Sequence, residues 1–302
     1  MKKVKVKIPA STTNLGPGFD CLGLALQLYN TVELTRIKER RIIIDIKGEG
    51  EESLPKNEEN IIIPALKLIF DNAVLPLEGI KIREINNIPI KRGLGSSAAT
   101  RLGGILGASA LLEKKLSSRE IIELATQLEG HPDNVAASLL GGLVTISYSN
   151  KEIKWLKIAI PASLKVIVAI PELEISTEKA RNILPLKIPL SDVIFNLSHL
   201  AILISSLKEK RWENLLFATE DKVHQPYRKA LLPGMEEVFQ AAVKGGARGV
   251  FLSGSGSTIA ALSDKKEEII GKAMQNALDE KKIKSRVMIL KIDGKGAEVE
   301  EE

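Results

Sequence analysis

The feature that most constrains the fold is a glycine-rich segment, Pro89-Ile90-Lys91-Arg92-Gly93-Leu94-Gly95-Ser96-Ser97-Ala98-Ala99. Residues 79–85 before it alternate loosely between apolar and polar, which predicts a strand. Residues 98–112 after it are small and apolar without proline, which predicts a buried helix. Two glycines allow a sharp turn and a close approach to a ligand, and Ser96 or Ser97 is expected to cap the helix.

A turn of this kind is suited to binding a phosphate. Unpaired N–H groups and the positive end of the helix dipole converge at the start of the helix. A plain strand-to-helix turn with a capping serine explains the same residues, and the segment alone does not separate the two interpretations. A P-loop is excluded because Gly95-Ser96-Ser97 lacks the lysine that this motif requires.

A second loop, at residues 10–20, is predicted to bring two polar side chains together. The two glycines around Pro17 predict a tight, defined turn. Asn14 can donate and accept hydrogen bonds, and Asp20 can bind an ammonium group. Since Asn and Asp also form turns by themselves, an Asx-type turn with Asp20 as a cap is the alternative.

Four polar side chains occur where one helix is predicted to end at Gly130 and the next to begin after Pro132, namely Glu129, His131, Asp133 and Asn134. Glu129 is a hard oxygen ligand suited to Mg²⁺, and the hydroxyl of Ser97 is a candidate second ligand. The alternatives are a solvated carboxylate at the helix end and a histidine that caps it.

Two arginines in the second half of the chain are candidates for binding a carboxylate with both guanidinium nitrogens. Arg181 follows Ile175-Ser176-Thr177 in a loop that enters a helix, and Arg228 precedes Leu231-Leu232-Pro233-Gly234. Each arginine by itself is more often an exposed surface residue.

The glycine-rich segment, read as proline, three residues and Gly-Leu-Gly-Ser-Ser-Ala-Ala, resembles the ATP-binding loop of the GHMP kinase superfamily. The resemblance implies a two-domain α+β fold. Residues 1–160 would form a ribosomal-protein-S5-domain-2-like ATP-binding domain with a left-handed βαβ unit, and residues 161–302 a ferredoxin-like domain. It also implies that the whole loop Pro89–Ala99 binds ATP, that Asn60 lies near the adenine, and that Ser255 and Gly256 belong to a third motif beside the loop. A plain hairpin turn is the alternative for that third motif.

Further segments resemble one branch of that superfamily, the homoserine kinases. They are Ser-x-x-Asn-Leu-Gly-Pro-Gly-Phe-Asp at residue 11, Glu-Gly-His-Pro-Asp-Asn-Val-Ala at residue 129, Ser-Thr-x-x-Ala-Arg at residue 176 and Pro-x-Arg at residue 226. The resemblance implies ATP-dependent phosphorylation of the L-homoserine hydroxyl in threonine biosynthesis, with Mg²⁺ bound by Ser97 and Glu129.

The same resemblance implies a role for each residue of the substrate site. Asp20 would hold the ammonium, and Arg181 and Arg228 the carboxylate. Asn134 would lie near the attacking hydroxyl, and Asn14, His131 and Thr177 would complete the site. Whether Asp133 acts as general base, or no side chain does, stays open at this point.

Composition excludes several other classes of protein. The net charge of +5 is spread along the chain, and basic residues lack interleaved aromatics, so nucleic-acid binding is not expected. No apolar run approaches 18 residues, which predicts no membrane span. The single cysteine, Cys21, permits no internal disulfide and is expected to be a small packed residue, not a nucleophile. We expect a cytoplasmic homodimer.

Two alternatives to this function are another GHMP kinase, such as a shikimate or mevalonate kinase, and a non-catalytic metabolite sensor. The first acts on a carboxylate without an ammonium, which would leave Asp20 without a partner. The second should have lost Ser97 and Glu129, which are both present.

Two structural details are also predicted. Gly103, Gly104 and Gly107 should pack closely inside the fold, and residues 294–302 should be a frayed tail.

Overall fold

The computed structural model describes residues 2–149 and 152–301 as an α+β fold with two sheets. The first sheet contains seven strands: β1 (Lys3–Asn14), β2 (Gly18–Arg36), β3 (Ile42–Gly48), β4 (Ile80–Asn86), β5 (Leu143–Ser149), β6 (Glu152–Ile158) and β11 (Glu298–Glu301). The second contains four: β7 (Lys165–Pro171), β8 (Gly249–Leu252), β9 (Ile259–Ser263) and β10 (Ser285–Lys291).

The helices divide between the two sheets. Those that precede β5 are α1 (Ile62–Asp71), α2 (Ser96–Leu111), α3 (Ser118–Glu129) and α4 (Asp133–Leu140). Those that follow β7 are α5 (Thr177–Asn182), α6 (Leu190–Glu209), α7 (Leu215–Ala218), α8 (Gln225–Arg228), α9 (Met235–Gly245) and α10 (Glu267–Glu280). Short 3₁₀ turns lie at Trp212–Asn214 and Lys229–Leu231.

The central helix of the first half is α2, which packs on β1, β2 and α1. Its three internal glycines make that packing possible. A Cβ on Gly103 would lie 2.5 Å from Val32, one on Gly104 2.9 Å from Ala65, and one on Gly107 2.8 Å from Leu34. These distances are shorter than side chains tolerate, so the predicted close packing is confirmed.

The predicted βαβ unit is formed by β3, α1 and β4, whose two strands pair in parallel. The strand β4 also pairs antiparallel with β2. From its end, the glycine-rich segment leads directly into α2. This order places the start of α2 near the C-terminal end of β4, an internal strand of the sheet.

The second sheet has the strand order β10-β7-β9-β8, and every neighbouring pair is antiparallel. Counted along the chain, this is the order 4-1-3-2, with α9 and α10 packed together and on the sheet. The arrangement is the ferredoxin-like unit, so the predicted architecture of the second half is confirmed.

The C-terminal tail differs from the prediction. Residues 298–301 form β11, which pairs antiparallel with β1 and brings Val299 opposite Val6. The tail was expected to fray because of its charge, but Lys5 forms an ion pair with Glu300 at 3.0 Å. The chain therefore returns to the first sheet, and the division between residues 160 and 161 stays a prediction.

The helix α6 is apolar and 20 residues long, enough by length and composition to cross a membrane. A core helix of a globular protein passes the same test, but only 28% of this stretch is buried in the fold, including Leu203 and Leu207. Polar residues such as Asp192, Asn196 and His199 interrupt the apolar run.

Candidate active site

A cleft of about 310 Å³ opens between the two halves of the chain, beside the start of α2. Most residues singled out from the sequence line it: Asn14, Asp20, Asn60, residues 89–97, Glu129, His131, Asp133, Asn134, Thr177, Arg181, Arg228 and Ser255. Three do not. Ala98 and Ala99 are buried in the core beneath the loop, and Gly256 packs against Gly93. The tertiary fold thus brings together residues from distant parts of the sequence, from Asn14 to Ser255.

The glycine-rich loop is left-handed at Lys91, with φ of 52°, and at two glycines. Gly93 and Gly95 both have φ of 74°. A Cβ on Gly93 would lie 2.1 Å from the carbonyl oxygen of Ser253, and one on Gly95 would lie 2.3 Å from the hydroxyl of Ser11. Both positions therefore require glycine for conformation and for space.

The segment 253–258 lies beside this loop, as the resemblance implied. The hydroxyl of Ser253 donates to the carbonyl of Gly93 at 2.6 Å, and the amide of Thr258 donates to the carbonyl of Arg92. Ser253 also forms a hydrogen bond of 2.7 Å with Thr12 of β1. These contacts clamp the loop between the two halves of the chain.

The predicted serine cap on α2 is wrong. The helix begins at Ser96, its N-cap residue is Gly95, and among the described residues no side chain caps it. Ser97 is already inside the first turn, and its hydroxyl donates to Glu129 instead. The first amides of α2 are therefore left for a ligand, which favours anion binding over a plain capped turn.

Glu129 lies at the end of α3, which begins with a capping box formed by Ser117 and Glu120 and ends at Gly130. Its Oε2 accepts a hydrogen bond of 2.8 Å from Ser97 and another from Arg101. Within residues 2–149 and 152–301 no cluster of three His, Cys, Asp or Glu side chains forms a metal cage. One carboxylate and one hydroxyl do match the way Mg²⁺ binds when phosphates supply its other ligands.

Asp133 and His131 form a buried pair at the start of α4. The Nδ1 of His131 lies 2.8 Å from Oδ1 of Asp133, which also accepts from the amide of Asn134. Burial opposes protonation, but the hydrogen bond and charge of Asp133 outweigh it and raise the pKa of His131. The side chain of Asn134 accepts a hydrogen bond of 2.9 Å from Ser11.

Asp20 and Arg181 bind each other across the cleft, with hydrogen bonds of 2.8 and 3.0 Å. Asp20 has φ of 57°, and its amide donates to Oδ1 of Asn14. The amide group of Asn14 donates in turn to the carbonyl of Gly254. Asn14 therefore fixes the backbone at Asp20, which places the carboxylate toward the cleft.

Arg228 is buried below this pair. Its guanidinium donates to the carbonyls of Ala180 and Gly254 and to Nδ1 of His224, at 3.1, 2.9 and 3.3 Å. Burial, together with the nearby charge of Arg181, lowers the pKa of Arg228 to about 10. The guanidiniums of Arg181 and Arg228 lie near each other and both interact with the carboxylate of Asp20, while Asp133 and Asp221 add further negative charge nearby.

Both side-chain polar atoms of Asn60 form hydrogen bonds within the protein. Its Nδ2 donates to Pro55 and to Glu84, and its Oδ1 accepts from the amide of Ile62 at the start of α1. Glu84 also lines the cleft, and burial raises its pKa. Asn60 thus supports this wall of the cleft, and its place near the adenine stays a prediction.

Sequence reasoning did not single out Phe19 and Glu84, which line the cleft, or Arg101 and His224, which contact residues that line it. The ring of Phe19 lies 5.6 Å from the guanidinium of Arg181 and 5.2 Å from that of Arg228, and it stacks on His224. Phe19 belongs to the segment at residues 11–20 that resembles homoserine kinases, so its aromatic character was an available signal. No local signal marks Arg101.

Cys21 is half-buried next to the cleft. Burial, and then the charges of Asp133 and Asp20, raise the pKa of its thiol to about 11. The thiol is therefore protonated near neutral pH and is a poor nucleophile, in line with the prediction.

Comparison with known proteins identifies the family. The description "GHMP kinases N terminal domain" matches residues 60–142, and "GHMP kinases C terminal" matches residues 203–280. The homoserine kinase of Petrotoga mobilis is 43% identical over 98% of this chain and 96% of its own length. That of Caldicellulosiruptor bescii is 42% identical over the same shares.

Solved structures agree. The crystal structure of homoserine kinase from Cytophaga hutchinsonii superposes with a TM-score of 0.90 at 30% identity, covering 99% of this chain and 97% of that one. The mevalonate kinase of Methanococcus jannaschii has a TM-score of 0.73 at 21% identity, covering 95% and 98%, and shows only a shared fold. The chain described here belongs to the homoserine kinase family of the GHMP kinases.

Proposed function

We propose that this chain transfers the γ-phosphoryl group of ATP to the hydroxyl of L-homoserine, in threonine biosynthesis. One observation carries the proposal. A single cleft contains both the uncapped start of α2 and, facing it, the ion pair of Asp20 and Arg181. The first is suited to phosphates and the second to a ligand with two opposite charges.

The substrate charges match those of the site. When the Asp20–Arg181 pair opens, an amino acid can bind between the two residues, with its ammonium at Asp20 and its carboxylate at Arg181. The guanidiniums of Arg181 and Arg228 favour this carboxylate. Its negative charge would reduce their mutual repulsion, which after burial is the second cause of the lowered pKa of Arg228. Thr177, at the first turn of α5, lines the same part of the cleft.

The nucleotide would lie along residues 89–97, with Ser255 and Gly256 behind the loop. When bound, Mg²⁺ would supply charge neutralisation for the phosphates, held by Glu129 and the hydroxyl of Ser97. The amides at the start of α2 would bind and orient the phosphate oxygens, which is the main requirement of phosphoryl transfer.

Asn134 and His131 would contact the homoserine hydroxyl region. Asp133 is only 2% exposed, and its Oδ1 is engaged by His131 and by the amide of Asn134. We therefore assign to Asp133 the positioning of these two side chains in preference to proton abstraction. Catalysis would then rest on orientation and charge stabilisation, with no carboxylate base.

The test is a coupled assay of ADP release with L-homoserine, shikimate, mevalonate and galactose. Two further compounds isolate the substrate charges. 4-Hydroxybutyrate keeps the carboxylate and hydroxyl but lacks the ammonium, and 3-amino-1-propanol lacks the carboxylate. We expect turnover with L-homoserine and a large loss of kcat/KM with both analogues. Faster turnover of mevalonate or shikimate would overturn the substrate assignment, and no ADP release with any compound would favour a sensor.

We further propose a cytoplasmic homodimer. The support for the dimer is an apolar stripe on α6, in which Leu190, Ile194 and Leu197 are exposed. Sedimentation of the protein and of an Ile194→Glu variant tests this. A dimer that dissociates in the variant is expected, and a wild-type monomer would refute it.

A further inference from the structure

Arg101 occupies a position next to the proposed metal ligands. It lies one helical turn after Ser97 on α2, with its guanidinium donating to the carboxylate of Glu129 and to the carbonyl of Leu128. The side chains of Arg101 and Glu129 are 21% and 10% exposed, so solvent screens this ion pair only in part.

One oxygen atom receives both contacts. Oε2 of Glu129 accepts from Nη1 of Arg101 and also, at 2.8 Å, from the hydroxyl of Ser97. A divalent cation bound by Glu129 and Ser97 would lie next to this same carboxylate oxygen, where the guanidinium of Arg101 is held. A guanidinium held there repels such a cation and occupies part of the carboxylate.

We infer that Arg101 is a positioning residue that neutralises Glu129 while no metal is bound and competes with the divalent cation for it. The inference rests on the proposed assignment of Ser97 and Glu129 to the metal. Two consequences follow. The metal binds more weakly than its two protein ligands alone would allow, and it depends on nucleotide phosphates to offset the arginine charge.

The test is a titration with Mn²⁺, followed by electron paramagnetic resonance, of protein loaded with a non-hydrolysable ATP analogue. Arg101→Gln and Arg101→Met remove the charge, and Arg101→Lys keeps it. We expect the first two to bind Mn²⁺ about tenfold more tightly, since a charge-assisted hydrogen bond to the competing cation is lost. The lysine variant should stay near wild type.

Two controls complete the experiment. Arg119→Gln removes the same charge from the exposed side of the neighbouring α3, where Arg119 pairs with Glu123 at 2.8 Å. It should leave Mn²⁺ binding unchanged. Glu129→Gln removes the proposed ligand and should weaken binding.

The outcomes separate the two proposals. If Glu129→Gln weakens binding but neither charge-removing variant tightens it, the role of Arg101 is refuted and the metal site stands. If Glu129→Gln has no effect on Mn²⁺ binding, the metal assignment fails and this inference fails with it. Thermal unfolding of each variant shows that it is folded, and using two charge-removing variants keeps the test decisive if one does not fold.

Discussion

Arg181 and Asp20 are joined by two parallel hydrogen bonds, although 161 positions separate them in the sequence. Each is about one-third exposed to solvent, at 36% and 35% of the side chain. The pair therefore holds the two walls of the cleft together without being sealed inside it. A zwitterionic ligand can enter the cleft and replace the Asp20–Arg181 ion pair with two ion pairs of its own, one to each residue.

Arg181→Ala is expected to raise the KM for homoserine by about 100-fold, because charge-assisted hydrogen bonds contribute about 1.5–3 kcal/mol each. The KM for ATP should stay close to wild type, since Arg181 faces the charged end of the substrate. Steady-state kinetics with each substrate varied in turn provide the measurement. Arg211→Ala is the matched control, because Arg211 is exposed and pairs only with Glu213 among the described ion pairs. Equal rises in both constants would contradict the assignment.

Gly93→Ala is expected to lower the free energy of unfolding by about 3 kcal/mol or more. Left-handed backbone costs an L-residue about 1–2 kcal/mol, and the clash of a Cβ with the carbonyl of Ser253 adds to it. Gly130→Ala is the matched control, because Gly130 has φ of 86° but no atom within 4 Å of a Cβ in the described structure. Urea unfolding measures both. Equal losses would show that space around the loop is not limiting.

Asp133→Asn is expected to lower the pKa of His131. In wild type, burial opposes protonation and Asp133 more than compensates for it. With the neutral amide, burial dominates, and the pKa should fall below the ordinary 6.5. The chain has only three histidines, so NMR titration resolves each ring. An unchanged His131 midpoint would refute the assignment of Asp133 as its positioning partner.

His224 should make stability depend on pH. Burial lowers its pKa, so the unfolded chain binds a proton there that the folded chain does not. The contribution of neutral His224 to the free energy of unfolding is complete above the ordinary pKa of 6.5 and is lost as the pH falls below that value. The stability advantage of wild type over His224→Gln should therefore shrink between pH 7 and 5, by up to about 1.4 kcal/mol per unit.

The contribution of His131 has the opposite sign, because its folded pKa is raised: it is present below pH 6.5 and lost as the pH rises through the folded pKa. The contribution of His131 is the same in wild type and in His224→Gln, so it cancels when their free energies of unfolding are subtracted. Urea unfolding of both proteins at several pH values gives that difference. A difference that does not vary with pH would contradict a buried, neutral His224.

Local features of the chain were predictable from residue types. The turn at Gly93 and Gly95, the helix after it and the alternating strand β1 all depend on neighbours within a few positions. The cap on α2 was predicted wrongly because a serine after a glycine satisfies the cap pattern. The hydroxyl of Ser97 is instead taken by Glu129, 32 positions away.

Residue types and short motifs were enough to predict which segments bend, form helices or extend, and to indicate the family. The contact partners of these residues became known from the folded structure. Arg101 meets Glu129, Phe19 lies against Arg181 and Arg228, and the C-terminal tail becomes β11. Such contacts join distant parts of the chain. Their strength depends on burial and on the geometry of both partners, and a local sequence pattern contains neither kind of information.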